Sequence, residues 1–437
     1  MMVVFNAAFA AQHGKRVLHV LVTQLATEGL SLFRNILIAR WLGAESLGGF
    51  IIAVAVLRFA EMSTDLGLER FIVQHNRSNA RFHDHDVRMM ASVHGCAAGR
   101  GVLLSVLMIV AAWPLAHWLS EPSLKSMIVW LAFVPLARGF MHYGHRAVQR
   151  KLEFGHTMHV EGLAAFVSAI ALFVVLLAQA GIEWIAATVA LQAFLVLILS
   201  HIAASHPYRF AVHGDVFQSI LRFGVPLIIN GWLLYAVMYG DRLVVAGFTR
   251  LEDVALFAVI LQCAILPVQM AGRLMLGLGL PYLAKAREVG DLSADVLSRC
   301  LFALLFCASL YVAIGIWFGP FLIEAVFALP TVDAGMVVVF LFVAAGIRLL
   351  RQAYSTLFQA YGDTLSPVKA NLWRLLALPA GIAVMLVQPG LEFLCAIIAV
   401  GEFIALIAML VMAVRHPELP HTHRFSSLRF PVRGGAA

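Results

Sequence analysis

Eight arginines, Arg34, Arg58, Arg100, Arg138, Arg242, Arg273, Arg348 and Arg351, stand inside runs of sequence long and apolar enough to cross a lipid bilayer. On insertion scales a guanidinium at bilayer depth costs roughly 2.5 to 3.5 kcal/mol, so eight facing lipid would cost on the order of 20 to 28 kcal/mol. They are expected to face partners, water or a bound anion instead. The acids within the same runs, Glu28, Glu61, Asp65, Glu161, Asp241 and Glu402, are fewer than the arginines. Pairing therefore leaves positive charge over, and that surplus calls for an anion or water. All eight are arginine rather than lysine, which suits bidentate binding of an oxyanion by a planar group that keeps its proton.

Their spacing follows the α-helix. Gln24, Glu28, Ser31 and Asn35 step by four, three and four, a single stripe with Arg34 at its edge. Arg58, Glu61 and Asp65 form a second stripe, Gln262, Gln269 and Arg273 a third, and Arg348, Gln352, Ser355 and Gln359 a fourth.

The elements that must carry these stripes are membrane-spanning helices. Of the 437 residues 62% are hydrophobic and 13% charged, with a mean hydropathy of +0.89, too apolar for a soluble globule. Windows of about 20 residues give twelve spans, near 20–41, 47–68, 92–117, 126–145, 160–180, 184–204, 222–247, 254–283, 298–318, 335–359, 371–388 and 391–413. The ninth is almost wholly apolar, as suits a peripheral helix. With both termini cytoplasmic, the inner segments hold twenty Lys and Arg, Arg374 among them, and the outer loops only Arg40, Lys125 and Arg250. That asymmetry sets the orientation, and the net charge of +7 is mostly this signal rather than a mark of nucleic-acid binding. No cleavable leader is read at the N-terminus, and no loop has room for a catalytic domain. Cys96, Cys263, Cys300, Cys307 and Cys395 lie in or beside apolar spans without metal or redox spacing.

The halves look related. A shift of 207 lays Arg34–Phe50, "RNILIARWLGAESLGGF", on Asp241–Phe257, "DRLVVAGFTRLEDVALF", without a gap. Identities are few, but the order of charged helix, apolar run, aromatic residue, acidic turn and next helix is shared. Two six-helix repeats around a central site are a transporter pattern.

The stretch "RNILIARWLGAESLGGFIIAVAVLRFAEMSTDLGLERFIVQ" resembles the opening of the polysaccharide transporters of the MOP superfamily, the Wzx-type flippases. "FGVPLIINGWLLYAVMYGDRLVVAGF", "GLGLPYLAK" and "RQAYSTLFQAYGDTLSPVKANLWR" resemble later parts of the same family. The resemblance implies an all-α polytopic membrane protein of about twelve helices in two six-helix bundles related by a pseudo-two-fold axis. The bundles would be residues 1–205 and 222–414, with a cytoplasmic linker at 206–221 and a cytoplasmic tail at 415–437. It implies movement of undecaprenyl-diphosphate-linked oligosaccharide from the cytoplasmic to the periplasmic leaflet of the bacterial inner membrane by alternating access, for O-antigen, capsule or exopolysaccharide. A polysaccharide polymerase and chain-length machinery would be partners beside membrane lipids. Lipid II flippases and MATE antiporters of the superfamily look similar at this level. A membrane-embedded polymerase or acyltransferase is the reading from another class, but polymerases resemble one another in a large external loop that this chain lacks.

For such a substrate, Arg34, Arg58, Arg242, Arg273, Arg348 and Arg351 are the candidates for the diphosphate. Asn35, Gln24 and Gln352, with Asn230, Tyr235, Tyr239, Gln262 and Gln269, are candidates for sugars, although hydrogen bonds between helices would serve any one of them equally. Glu28, Glu61 and Asp241 are candidates for ion coupling, or plain partners of arginines. No cofactor, metal or nucleic acid is expected. "HDHD" at His83–Asp86, with His142, His145, His156 and His159, lacks recognised ligand spacing and reads as solvated loop residues. "GRLMLGLGLP" at 272–281 is glycine-rich but follows no strand, so it is no phosphate loop.

Overall fold

The computed structural model describes residues 7–75, 84–144, 155–204, 206–289, 294–331 and 334–416, the side chains of residues 7–28, 73, 75, 84–86, 155–158, 288, 289 and 294 excepted. Among these residues the chain is helical, with no strand. The order is α1 (Ala7–Met62), α2 (Leu68–His75), α3 (Asp84–Trp118), α4 (Pro122–Gly139), α5 (Gly155–Leu177), α6 (Ile182–Ile202) and α7 (Gly214–Phe248). There follow α8 (Leu251–Leu274), a π-helical turn (Met275–Gly279), α9 (Leu280–Val289), α10 (Ala294–Phe327), α11 (Gly335–Ala360), α12 (Leu365–Leu375), α13 (Ala377–Val387) and α14 (Leu391–Arg415).

Among the described residues each of the twelve expected spans falls mostly on helix, and three differ locally. The first two are halves of α1, broken at Gly43, where φ is +84° and ψ 175°. That region is open to glycine and closed to residues with a Cβ, so the chain turns there without losing its helix on either side. The glycine-rich "LMLGLGLP" is helical throughout but loosens to a π turn at Met275–Gly279, a form that often marks functional sites. The eleventh span is two short helices, α12 and α13, joined at Leu376. By length and apolar composition, ten stretches among the described residues are fit to cross a membrane. The α1 stretch counts once despite its break, and α4 falls outside the ten.

The structure divides into two compact units. The larger comprises Val20–Val259 and Ile323–Pro330. Within it α3 packs on α4, α4 on α6 and α5 on α6. Lipid is as apolar as leucine, so close helix packing rather than water exclusion holds such a bundle. Gly101 of α3 and Gly139 of α4 meet where a Cβ on Gly101 would lie 2.9 Å from the Gly139 Cα. The end of α1 rests on α7 in the same way: a Cβ on Gly231 would stand 2.2 Å from the Met62 carbonyl oxygen. Tyr235 donates its hydroxyl to the Ala55 carbonyl at 3.1 Å, and the Trp232 indole donates to Ser63 O at 3.0 Å. Arg40, expected in an outer loop, instead lies in α1 and donates to the last carbonyls of α10, Val326 O at 2.7 Å and Ala325 O. Carbonyls at a helix C-terminus otherwise lack donors.

The smaller unit comprises residues 1–19, 260–322 and 331–437. Its centre is α14, against which α11, α12 and α13 all pack, while α9 and the π turn lie on α11. Helix α10, the ninth span, buries little of its surface, as its uniform apolarity suggests.

Candidate functional site

Two clusters of arginine form, one in each unit. In the larger unit, α1, α3 and α4 bring Arg34, Arg58, Arg100 and Arg138 to one cavity of about 650 Å³, well within the usual range of small-molecule sites. Glu61 is its hub. Arg58, one turn earlier on α1, donates to Glu61 Oε2 at 3.1 Å, and Arg138 from α4 donates to Oε1. Arg100 from α3 reaches the same turn through its backbone and hydroxyl, with Nη2 on the Glu61 carbonyl at 2.6 Å and Nε on Thr64 Oγ1 at 2.9 Å. The turn itself is set by Asp65, whose Oδ1 accepts the Gly67 N–H at 3.0 Å. Glu61 is 12% exposed while Arg58 and Arg138 are 42% and 50% exposed, so the carboxylate is covered and the guanidinia face the cavity.

Arg34 differs from the other three. It reaches Ser31 Oγ at 3.4 Å and lies over the Phe50 ring at 5.1 Å. Among the described residues it meets no carboxylate, and its buried Nε has no acceptor. The charged group acting on it is Arg58, a second cation. Around Arg138 the balance is reversed, with Glu61, Glu69 and Glu161 all bearing on it. Carboxylates line the cavity as well as arginines, Glu61, Asp65, Glu69 and Glu161 among them. Arg70 on α2 and Gln192 on α6 also line it.

The second cluster, in the smaller unit, is sealed. Glu402 of α14 is 0% exposed. Arg348 of α11 donates to its Oε1 at 2.9 Å through Nε, Arg374 of α12 lies 2.6 Å from the same oxygen, and Arg351 donates to Oε2. Asn371 of α12 accepts from Arg351. Gly401 lets the helices come this close, since a Cβ there would meet Ala377 Cβ at 2.6 Å. Arg374, counted by sequence as a cytoplasmic flank, is buried at 6% exposure. Its position at an α12 face turned onto Glu402 overrides the polar context of its neighbours.

Of the sequence-derived site residues, Arg34 and Arg58 share the cavity, with Glu61 between Arg58 and Arg138. Arg348 and Arg351 meet on Glu402. Arg242 of α7 donates to its own helix at Met238 O, 2.6 Å, and lies over Tyr239 at 5.3 Å. Asp241 beside it is buried. Arg273 is exposed near the end of α8, Gln352 of α11 lies against Gly272, and Asn35 is buried in α1. The side chains of Gln24 and Glu28 lie outside the described residues. Sequence reasoning left Arg100 and Arg138 out of the site because the bounds of their spans were ambiguous, whereas Arg100 stands in the middle of α3. It also passed over Glu69, Arg70, Glu161 and Gln192 as site residues, whose convergence from α2, α5 and α6 no periodicity records.

Among the described histidines, His142 is not a solvated loop residue. It is buried, with its ring 5.0 Å from that of His94 and 5.6 Å from that of His201, and its Nδ1 accepts the Gly144 N–H at 2.9 Å. His159 is exposed; His83 and His145, and the side chains of His85 and His156, lie outside the described residues. Among those described, no group of three or more His, Cys, Asp or Glu is arranged to hold a metal.

No curated protein matches the chain in sequence. Among solved structures it is similar to the lipid II flippase MurJ in an inward closed conformation, at 14% identity and a TM-score of 0.68, covering 90% of this chain and 87% of that one. It is also similar to an inward-facing multidrug resistance MATE family transporter of the MOP superfamily, at 16% identity and a TM-score of 0.65, covering 89% and 93%. A MOP superfamily transporter from Pyrococcus furiosus matches at 15% identity and a TM-score of 0.54, over 91% and 94%. At such identities the likeness shows a shared fold. The sequence model described as "Polysaccharide biosynthesis protein" matches residues 37–328, from the middle of α1 to the end of α10. With that match and that fold, the chain is a multi-pass membrane protein of the polysaccharide biosynthesis protein family.

Proposed function

We propose that the chain is a flippase that carries undecaprenyl-diphosphate-linked oligosaccharide from the cytoplasmic to the periplasmic leaflet of the bacterial inner membrane by alternating access. The observation that supports this most is Arg34: a guanidinium in the cavity with a second cation beside it and, among the described residues, no carboxylate bonded to it. A diphosphate supplies the missing acceptors and takes forked hydrogen bonds from Arg34 and Arg58 together. The orientation with both termini cytoplasmic, the division into bundles at 1–205 and 222–414, and the roles of Arg242 and Arg273 toward substrate belong to the same proposal, whereas Arg348 and Arg351 are taken up by Glu402. So do partnership with a polymerase and chain-length machinery, and ion coupling through Glu28, Glu61 or Asp241.

The electrical sense of the cycle fits. Carrying a diphosphate outward moves about two negative charges toward the positive side, favourable by roughly 4 to 5 kcal/mol per 100 mV. Returning an emptied cationic cavity is favourable as well.

The test is glycan export by cells carrying Arg34→Ala or Arg34→Lys. Alanine is expected to lower export at least roughly tenfold, the loss of one charge-assisted hydrogen bond or more, with the amount of membrane protein unchanged. Lysine restores part of it, since an ammonium keeps the charge but not the fork. Export at the wild-type level from Arg34→Ala would remove the basis of the proposal.

A further inference from the structure

Gln192 sits in the middle of α6, a helix whose other described mid-helix polar side chains are satisfied by the protein. Thr188 donates to Ile185 O at 2.7 Å, and Ser200 donates to Leu197 O at 2.7 Å while accepting from the His142 N–H. Gln192 makes no hydrogen bond with any described residue and lines the cavity. The amide is part-exposed to the cavity and so bonds to water or to something else that the cavity holds.

Its surroundings say what that something is. The face of α6 on the cavity is Val189, Gln192, Ala193 and Val196, spaced as one helical stripe, and α5 contributes Glu161 and Ala165 four residues apart. This wall bears one amide and one carboxylate among small aliphatic side chains. It carries no arginine; those come from α1, α2, α3 and α4. An amide presents an acceptor and two donors in one plane, which matches two adjacent hydroxyls, each both donor and acceptor. A carboxylate has lone pairs for a hydroxyl beside the partner that Glu161 already has. Small side chains leave a low-relief apolar surface for the C–H face of a ring.

We propose that Gln192, with Glu161, is the subsite for the hydroxyl groups of a sugar ring attached to the anion that Arg34 holds. The inference rests on the flippase reading and adds to it that the cavity reads glycan on its α5–α6 wall, separately from the phosphates. Selectivity between glycans then resides on α6, while affinity for the lipid diphosphate resides on α1.

The experiment uses the purified full chain in lipid nanodiscs and two ligands. One is undecaprenyl diphosphate without sugar; the other is the undecaprenyl-diphosphate-linked oligosaccharide extracted from cells that make the protein. Gln192→Leu keeps the size of the side chain and removes its hydrogen bonds. It is expected to weaken binding of the glycosylated ligand roughly tenfold, the equivalent of one to two hydrogen bonds, and to leave the sugar-free ligand unchanged. Glu161→Gln, which keeps an acceptor, should give a smaller loss with the same selectivity. Equal weakening of both ligands, or no weakening of either, overturns the subsite. The flippase reading fails differently: the wild-type chain binds neither ligand, or Arg34→Ala weakens neither. Unchanged melting temperatures of the variants separate loss of binding from loss of fold.

Discussion

Glu61 and Glu402 each gather arginines from several helices, and the two clusters differ in what is left exposed. At Glu402 every guanidinium turns inward: Arg351 and Arg374 are 8% and 7% exposed, and Arg348 24%. At Glu61 the carboxylate is covered, but Arg58 and Arg138 keep about half their surface open to a cavity, and Arg34 beside them holds no acid among the described residues. The same residue types thus serve opposite ends. A buried carboxylate that absorbs three arginines ties helices together, whereas the half-exposed arginines around the cavity are the ones that the proposed function assigns to an anion. Counting arginines does not distinguish the two; the position of the carboxylate does.

The sharpest way to break this contrast is Glu402→Gln. Three guanidinia would remain buried around an acceptor that has lost its charge, a loss of about 3–5 kcal/mol for a broken buried pair. The protein is expected to melt many degrees lower in detergent, or to fail to accumulate in the membrane. If Glu402→Gln melts with the wild type, the cluster does not tie these helices together.

Arg348→Ala against Arg58→Ala sharpens the same comparison with a smaller effect. Removing Arg348 deletes two charge-assisted hydrogen bonds to a buried acid, about 1.5–3 kcal/mol. Removing Arg58 deletes a half-exposed pair worth about 0.2–1 kcal/mol. Thermal shift should rank them in that order and glycan export in the reverse order; a matching rank in both assays would erase the distinction.

The smallest expected effect is one of pH, at the turn that leads into α12 and so positions Asn371 and Arg374. Burial pushes the Asp363 carboxyl up, but hydrogen bonds from the Ser366 hydroxyl and from the Ser366 and Leu365 N–H groups, with His416 nearby, hold it below its ordinary 3.8. A depressed carboxylate contributes stability above its unfolded pKa and loses it as pH falls through the folded value. The stability difference between wild type and Asp363→Asn should therefore be steady at neutral pH, on the order of 0.5–1 kcal/mol as for a helix cap, and shrink below about pH 4. A difference independent of pH down to 3 would show that the carboxylate charge plays no part.

The helices were legible in the sequence because the signal is local. Twenty apolar residues in a row mean a span wherever the rest of the chain goes, and Gly43 and Gly67, at φ +84° and +63°, stand where the hydropathy breaks. The stripe of Arg58, Glu61 and Asp65 was legible for the same reason, one helix face being written at intervals of three and four. The surplus of arginines over acids also followed from sequence, since the bilayer penalises each charge regardless of fold.

Which arginine meets which acid did not follow. Arg138 reaches Glu61 across 77 residues, and Arg348 reaches Glu402 across 54. Arg374 looked like a flanking charge until α12 turned it inward, and Gln192 looked like any amide in a helix until α5 and α6 placed it on a cavity wall. A side chain's cost in the membrane is set by its own chemistry and so can be read residue by residue, but its partner is set by packing between helices distant in sequence, which only the tertiary structure decides.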